Sequence, residues 1–221
     1  RKKLLQGQID KRCAVFYSKE KAGKSSMRTE TLAKYPTLVK AVHDLTDSEG
    51  NTTLKPVYLD LRFSNICNLR CRTCWHGASS SWFEEAKLLN NTAGEKALIK
   101  ATSNNPNVLK TILTYSSEPA EIYFAGGEPL LMEEHYQILT ELIKIGKTDT
   151  YLRYNSNLSI LEFKEFSLCE LWRKFKRVKL SVSVDATEAL GNYIRKGMRW
   201  DKLLANMRLL KKECPHIQLE I

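Results

Sequence analysis

The sequence predicts an α/β protein built on a parallel sheet with helices packed outside it. Three observations carry that reading. Segments 57–63, 121–125, 150–155 and 178–184 are short and rich in strand formers. Stretches with helical signals alternate with them, as in repeated strand–helix–strand units. The 221 residues, 43% hydrophobic and 27% charged, suit one full core with a small appended piece.

In chain order, residues 1–54 form a polar, mixed segment. Within 28–46, Leu32, Tyr35, Leu38, Val39, Val42 and Leu45 lie near helical spacing, and 47–51 (Asp-Ser-Glu-Gly-Asn) is a loop. From Pro56 the pattern changes. Residues 57–63 (Val-Tyr-Leu-Asp-Leu-Arg-Phe) alternate with period two and read as the first strand. Ser79-Ser80-Ser81-Trp82-Phe83-Glu84-Glu85 opens a helix, with a serine cap and acids in the first turn. A polar stretch over 90–107 and another helix lead to Pro119. The second strand, 121–125, ends at Gly126-Gly127-Glu128-Pro129, where Pro129 starts a helix that runs from about 132 to 145. The third strand, 150–155, is followed by a helix around 161–175. The fourth, 178–184, is followed by one near 200–212, and 217–221 reads as a fifth strand. The arrangement is a doubly wound sheet or a (β/α) barrel, whole or partial. The start at Arg1 and the uncovered strand at Ile221 predict a fragment of a longer protein.

No apolar run of about 18 residues is present, so no membrane-spanning helix is expected. The formal charge is +10, but the basic residues are spread along the chain, which argues against nucleic acid as a partner. Of six cysteines, 67, 71 and 74 are clustered, while 13, 169 and 214 are scattered. That is no secreted disulfide framework. It predicts a reducing compartment, the cytoplasm, with Cys169 and Cys214 as buried or bystander thiols.

Cys67, Cys71 and Cys74 have the spacing C-x3-C-x2-C and follow the first strand directly. Functional loops of parallel α/β folds sit at the carboxyl ends of strands. Three thiolates suit a [4Fe–4S] cluster with one iron left open. A zinc site completed by His76, or an iron–sulfur carrier without further chemistry, is the alternative. Gly126 and Gly127 permit unusual backbone angles and close approach of a ligand, and Glu128 offers a carboxylate.

On Cys67, Cys71, Cys74 and Gly126–Pro129, the chain resembles the radical S-adenosylmethionine (radical SAM) enzymes. The resemblance implies a partial (β/α) barrel over 55–221, truncated at its C-terminus, since a complete family core has a sixth strand near the adenine. It implies that the three cysteines hold a [4Fe–4S] cluster whose open iron is chelated by SAM. Gly126, Gly127, Glu128 and Pro129 would contact the SAM amino group, through Glu128 or the neighbouring backbone. Ser183 and Asp185, in Ser183-Val184-Asp185, resemble the family's Ser-x-Asp at the ribose. Arg195 resembles the arginine that pairs with the SAM carboxylate. Asn155 resembles a family position at the end of the third strand. The resemblance implies reductive SAM cleavage to a 5′-deoxyadenosyl radical, a one-electron donor such as flavodoxin or ferredoxin, and a peptide or protein substrate. Arg70 and Arg72 either meet cluster charge or a reductant or are solvated, and Trp75 either shields the cluster or joins the core. Residues 13–28 resemble the stretch before the barrel in twitch- or SPASM-like members, where a C-x2-C helps hold an auxiliary cluster. Phe16 replaces its second cysteine, so either that cluster is lost or Cys13 joins ligands from upstream. A degenerate homologue without SAM turnover is the remaining alternative.

Overall fold

The computed structural model describes residues 2–90, 96–101, 105, 107–115 and 119–221. The chain divides into two compact units, Arg1–Lys55 and Pro56–Ile221.

The first unit carries α-helices Lys2–Leu5, Ala14–Lys21, Met27–Lys34 and Pro36–Asp44, none of which contains a buried residue. The helical signal over 28–46 thus resolves into two helices. Tyr35 precedes Pro36 and leaves the helical region (φ −126°, ψ 59°), as pre-proline residues do. Ser26 caps Met27–Lys34 in a capping box with Thr29. Arg28 is paired with Glu20.

The second unit is a five-stranded parallel sheet in sequential order: β1 (Tyr58–Leu61), β2 (Glu121–Phe124), β3 (Tyr151–Ser156), β4 (Val178–Val182) and β5 (Gln218–Glu220). All four pairings are parallel. Among the described residues the sheet is open and does not close into a barrel. Helices along the unit are α1 (Phe83–Asn90), α2 (Val108–Thr114), α3 (Glu133–Lys144), α4 (Leu168–Trp172), α5 (Glu188–Ile194) and α6 (Trp200–Glu213).

Three local expectations are corrected. Residues 161–175 do not form one helix: Glu162–Phe163 and Phe166–Ser167 make a small antiparallel hairpin before α4, with Lys164 at φ 53° turning the chain between them. Pro129 opens a single 3-10 turn, Pro129–Leu131, rather than α3 itself. α5 was not read from the sequence, because Gly191 interrupts its helical pattern. That glycine is required: a Cβ there would lie 2.3 Å from Ala186 O.

The two sheet faces differ. Register aligns Leu61, Phe124, Tyr154, Leu180 and Leu219 in one row, and the first four are buried in the core with Trp172, Leu139 and Leu142. The adjacent row is Asp60, Tyr123, Arg153, Lys179 and Gln218. Strands of a parallel sheet covered on both sides read as continuous apolar runs. These alternate because one face remains polar. Its charges are paired in place: Arg62 with Asp60 (2.8 Å), Arg153 with Glu121 (2.9 Å) and Lys179 with Glu220 (2.6 Å).

Candidate active site

The carboxyl ends of β1 to β4 surround a cavity of about 300 Å³. Cys67, Cys71 and Cys74 line it together with Gly126, Gly127, Glu128, Ser183 and Arg195, so eight of the ten sequence-predicted positions share one space. Pro129 and Asp185 do not line it. Pro129 is buried, and Asp185 lies behind Arg195, with Oδ2 2.8 Å from Arg195 Nε. Asn155, Arg62 and Tyr123 line the cavity on the polar face of the sheet.

The cysteine loop is held by the residues that follow it. Ser79, which is buried, donates from Oγ to Leu69 O (2.7 Å), and Ser81 Oγ donates to Cys67 O (2.6 Å). Cys67 N donates to Ser80 Oγ (3.3 Å), and Trp82 Nε1 donates to Cys71 O (3.0 Å). Sequence reasoning took these serines for a helix cap. No side-chain cap forms at Ser79, and the 3-10 turn Ser80–Trp82 precedes α1. The run Ser79-Ser80-Ser81-Trp82, which begins five residues past Cys74, was the signal that could have marked them as the cradle of the cysteine loop.

The glycine motif docks on the chain entering that loop. Gly127 N donates to Ser64 O (3.1 Å) and Glu128 N to Ile66 O (2.6 Å). A Cβ on Gly127 would fall 2.1 Å from Ile66 O, and Gly126 adopts φ +113°. The close approach expected of a ligand is thus also made by this protein's own backbone. Glu128 is buried, and its carboxylate accepts from Ser156 Oγ (2.7 Å), Asn157 N (2.7 Å) and Leu130 N (3.1 Å). Burial raises its pKa from 4.5 to about 7, against those hydrogen bonds and the charge of Arg195, which lower it. The carboxylate therefore braces the ends of β2 and β3. Asn157, a residue the sequence reading passed over, extends the brace: its Nδ2 donates to Asn68 Oδ1 (2.9 Å) and lies 3.9 Å from Cys67 Sγ.

Burial also raises the thiols of Cys67 and Cys71 above their ordinary range. Arg195 Nη1 points at Cys71 Sγ (3.7 Å) and acts in the opposite sense. Arg195 Nε donates no hydrogen bond among the described residues, so its contact with Asp185 is an ion pair rather than a directed bond. Arg70 is paired with Glu85, and Arg72 stacks 3.9 Å over the Tyr193 ring. Trp75 is neither core nor cavity wall: it is 64% exposed, and its ring folds over Gly77, where a Cβ would be 2.3 Å away.

Three cysteines on one cavity fit an iron–sulfur cluster, whose thiolate ligands sit on separate irons. A single zinc would need its donors gathered at about 2.0–2.3 Å from one point. Among the described residues no three or more His, Cys, Asp or Glu side chains are gathered around one metal-ion position. His76 does not line the cavity. Cys13 lies in the other unit, at the end of the 3-10 turn Lys11–Cys13. No helix of the described residues is long and apolar enough to cross a membrane.

Comparison with known proteins identifies the fold. No curated protein matches the chain. Among solved structures, Streptococcus suis SuiB bound to precursor peptide SuiA is similar at TM-score 0.50 and 14% identity, over 94% of this chain and 45% of that one. Native anSMEcpe with bound AdoMet is similar at TM-score 0.48 and 18% identity, over 74% of this chain and 42% of that one. The chain thus spans less than half the length of these structures. The family model of the radical SAM superfamily matches residues 61–219, most of the second unit, and the chain belongs to the radical SAM superfamily of enzymes.

Proposed function

We propose that this chain uses a [4Fe–4S] cluster and SAM to generate a radical for hydrogen abstraction from a peptide or protein substrate. The observation that carries the reading is the single cavity lined by Cys67, Cys71, Cys74, the Gly126–Glu128 backbone, Ser183 and Arg195. When bound, the pair supplies one-electron reductive cleavage of SAM to methionine and a 5′-deoxyadenosyl radical. The protein's part is to bind, orient and shield.

Cys67, Cys71 and Cys74 would hold the cluster as thiolates, and their loop is kept in shape by Ser79, Ser81 and Trp82. The Glu128 carboxylate is already occupied by three donors. Contact with the SAM amino group therefore falls to carbonyls of the 126–129 backbone, and Glu128 fixes their position. Ser183 makes no side-chain hydrogen bond to a described residue and lines the cavity, so it is available to the ribose. Arg195 is available to a carboxylate once Asp185 yields part of its fork. Asp185, outside the lining, serves by orienting Arg195.

The substrate side is the polar face beside the cavity. Its charges are mutually paired, and the Tyr123 hydroxyl and Asn155 amide are left without hydrogen-bond partners among the described residues. Neutral groups that donate and accept suit an amide-bearing substrate such as a peptide segment. SuiB, solved with its precursor peptide, binds one. Segment 1–54 is proposed as the end of a twitch-like auxiliary region, and an acidic one-electron carrier such as flavodoxin or ferredoxin as the reductant of this basic chain.

Anaerobic reconstitution with iron and sulfide tests the reading. The expected product is brown protein with about four irons per chain that retains SAM in equilibrium dialysis. Zinc uptake without iron, or a loaded protein that binds no SAM, would overturn it.

A further inference from the structure

Cys71 and Arg195 face each other across a two-residue antiparallel ribbon in which Arg70 pairs with Lys196 and Cys71 with Arg195. Arg72 N donates to Ile194 O at 2.7 Å and closes the ribbon. This backbone register, rather than a flexible side-chain encounter, brings Arg195 Nη1 to 3.7 Å from Cys71 Sγ. The guanidinium is largely enclosed, its side chain only 14% exposed. Behind it, Asp185 Oδ2 stands 2.8 Å from Nε. Neither Cys67 nor Cys74 has a cation in hydrogen-bond contact with its sulfur among the described residues.

Fixed charges close to a ligand sulfur act on the redox couple of the metal it binds. Taking up an electron makes a thiolate-ligated cluster more negative. A nearby cation stabilises the reduced form, a nearby carboxylate destabilises it, and both act more strongly where water is excluded. We propose that Arg195 and Asp185 form a charge pair that sets the reduction potential of the cluster through Cys71, Arg195 raising it and Asp185 lowering it. The proposal rests on the cluster reading above and adds to it: Arg195 acts on the cluster before SAM arrives, whatever it later does for the SAM carboxylate.

The test is a redox titration of the [4Fe–4S]2+/1+ couple, followed by electron paramagnetic resonance, on reconstituted protein without SAM. Wild type is compared with Arg195→Gln, Arg195→Lys and Asp185→Asn, each with its iron content measured. At a solution potential equal to the wild-type midpoint, Arg195→Gln is expected to show about a tenfold lower reduced-to-oxidised ratio, a shift of about 59 mV to more negative values. Asp185→Asn is expected to shift the opposite way, and Arg195→Lys to lie between wild type and the glutamine variant. A residue serving only the SAM carboxylate would leave every SAM-free potential unmoved. Asp185→Asn keeps the proposal testable if the glutamine variant fails to load. Loaded proteins with unchanged potentials, or shifts of the same sign in Arg195→Gln and Asp185→Asn, overturn this proposal alone. Wild-type protein that takes up no cluster overturns the cluster reading and this proposal with it.

Discussion

Gly127 packs against Ile66 so tightly that a methyl group on its Cα would stand 2.1 Å from the Ile66 carbonyl oxygen. Since Ile66 leads directly into Cys67, the glycine motif after β2 and the cysteine loop after β1 are one packed unit. Gly127→Ala must separate them. The expected cost is about 1–3 kcal/mol of stability or more, read in urea unfolding, with iron retention falling in parallel. Ala at an ordinary exposed loop position would move neither.

The serine cradle makes a second prediction. Ser79→Ala leaves the Leu69 carbonyl without its hydroxyl donor in a buried setting, at a cost of about 1–3 kcal/mol. Trp82→Phe keeps an aromatic ring, though a smaller one, and removes the bond to Cys71 O. Both variants are expected to lose cluster faster than wild type in a chelator challenge, while Ser159→Ala, whose hydroxyl accepts from Asn68, loses it little faster.

Glu128 makes stability depend on pH in a stated direction. Its folded pKa of about 7 lies above the ordinary 4.5. Between those values the native state holds more protons than the unfolded state, so this group lowers stability as pH rises. The apoprotein should therefore lose stability relative to Glu128→Gln between about pH 5 and pH 8, by up to about 3 kcal/mol. Denaturant midpoints of both proteins across that range check it. A difference independent of pH would show that Glu128 stays ionised throughout.

The remaining cysteines should not matter to loading. Cys169 and Cys214 are buried, Cys214 Sγ lies 3.4 Å from Cys169 O, and burial holds the Cys169 thiol well above its ordinary range. Cys169→Ser and Cys214→Ser are expected to keep the wild-type iron count, whereas alanine at Cys67, Cys71 or Cys74 abolishes it.

Much of the second unit was legible because its strands alternate and its clustered cysteines sit beside them. The polar row Asp60, Tyr123, Arg153 and Lys179 is the same alternation seen from the other face, and it locates the cavity wall at Arg62, Tyr123 and Asn155. Less legible were features that depend on distant partners. Glu128 looked like a ligand group, but its carboxylate is consumed by Ser156, Asn157 and Leu130. Ser79 looked like a helix cap because local sequence cannot show that Leu69 O lies within its reach. The break at Tyr35 follows from Pro36 alone, so it was there to be read. The hairpin at 162–167 carries no glycine and turns on Lys164 at positive φ, which no propensity would suggest.

The most direct test of the account is SAM turnover by anaerobically reconstituted protein under a strong chemical reductant. The account predicts 5′-deoxyadenosine and methionine formed together, dependent on the reductant, and absent in Cys71→Ala. Fully loaded wild-type protein that binds SAM and yields no 5′-deoxyadenosine would contradict it.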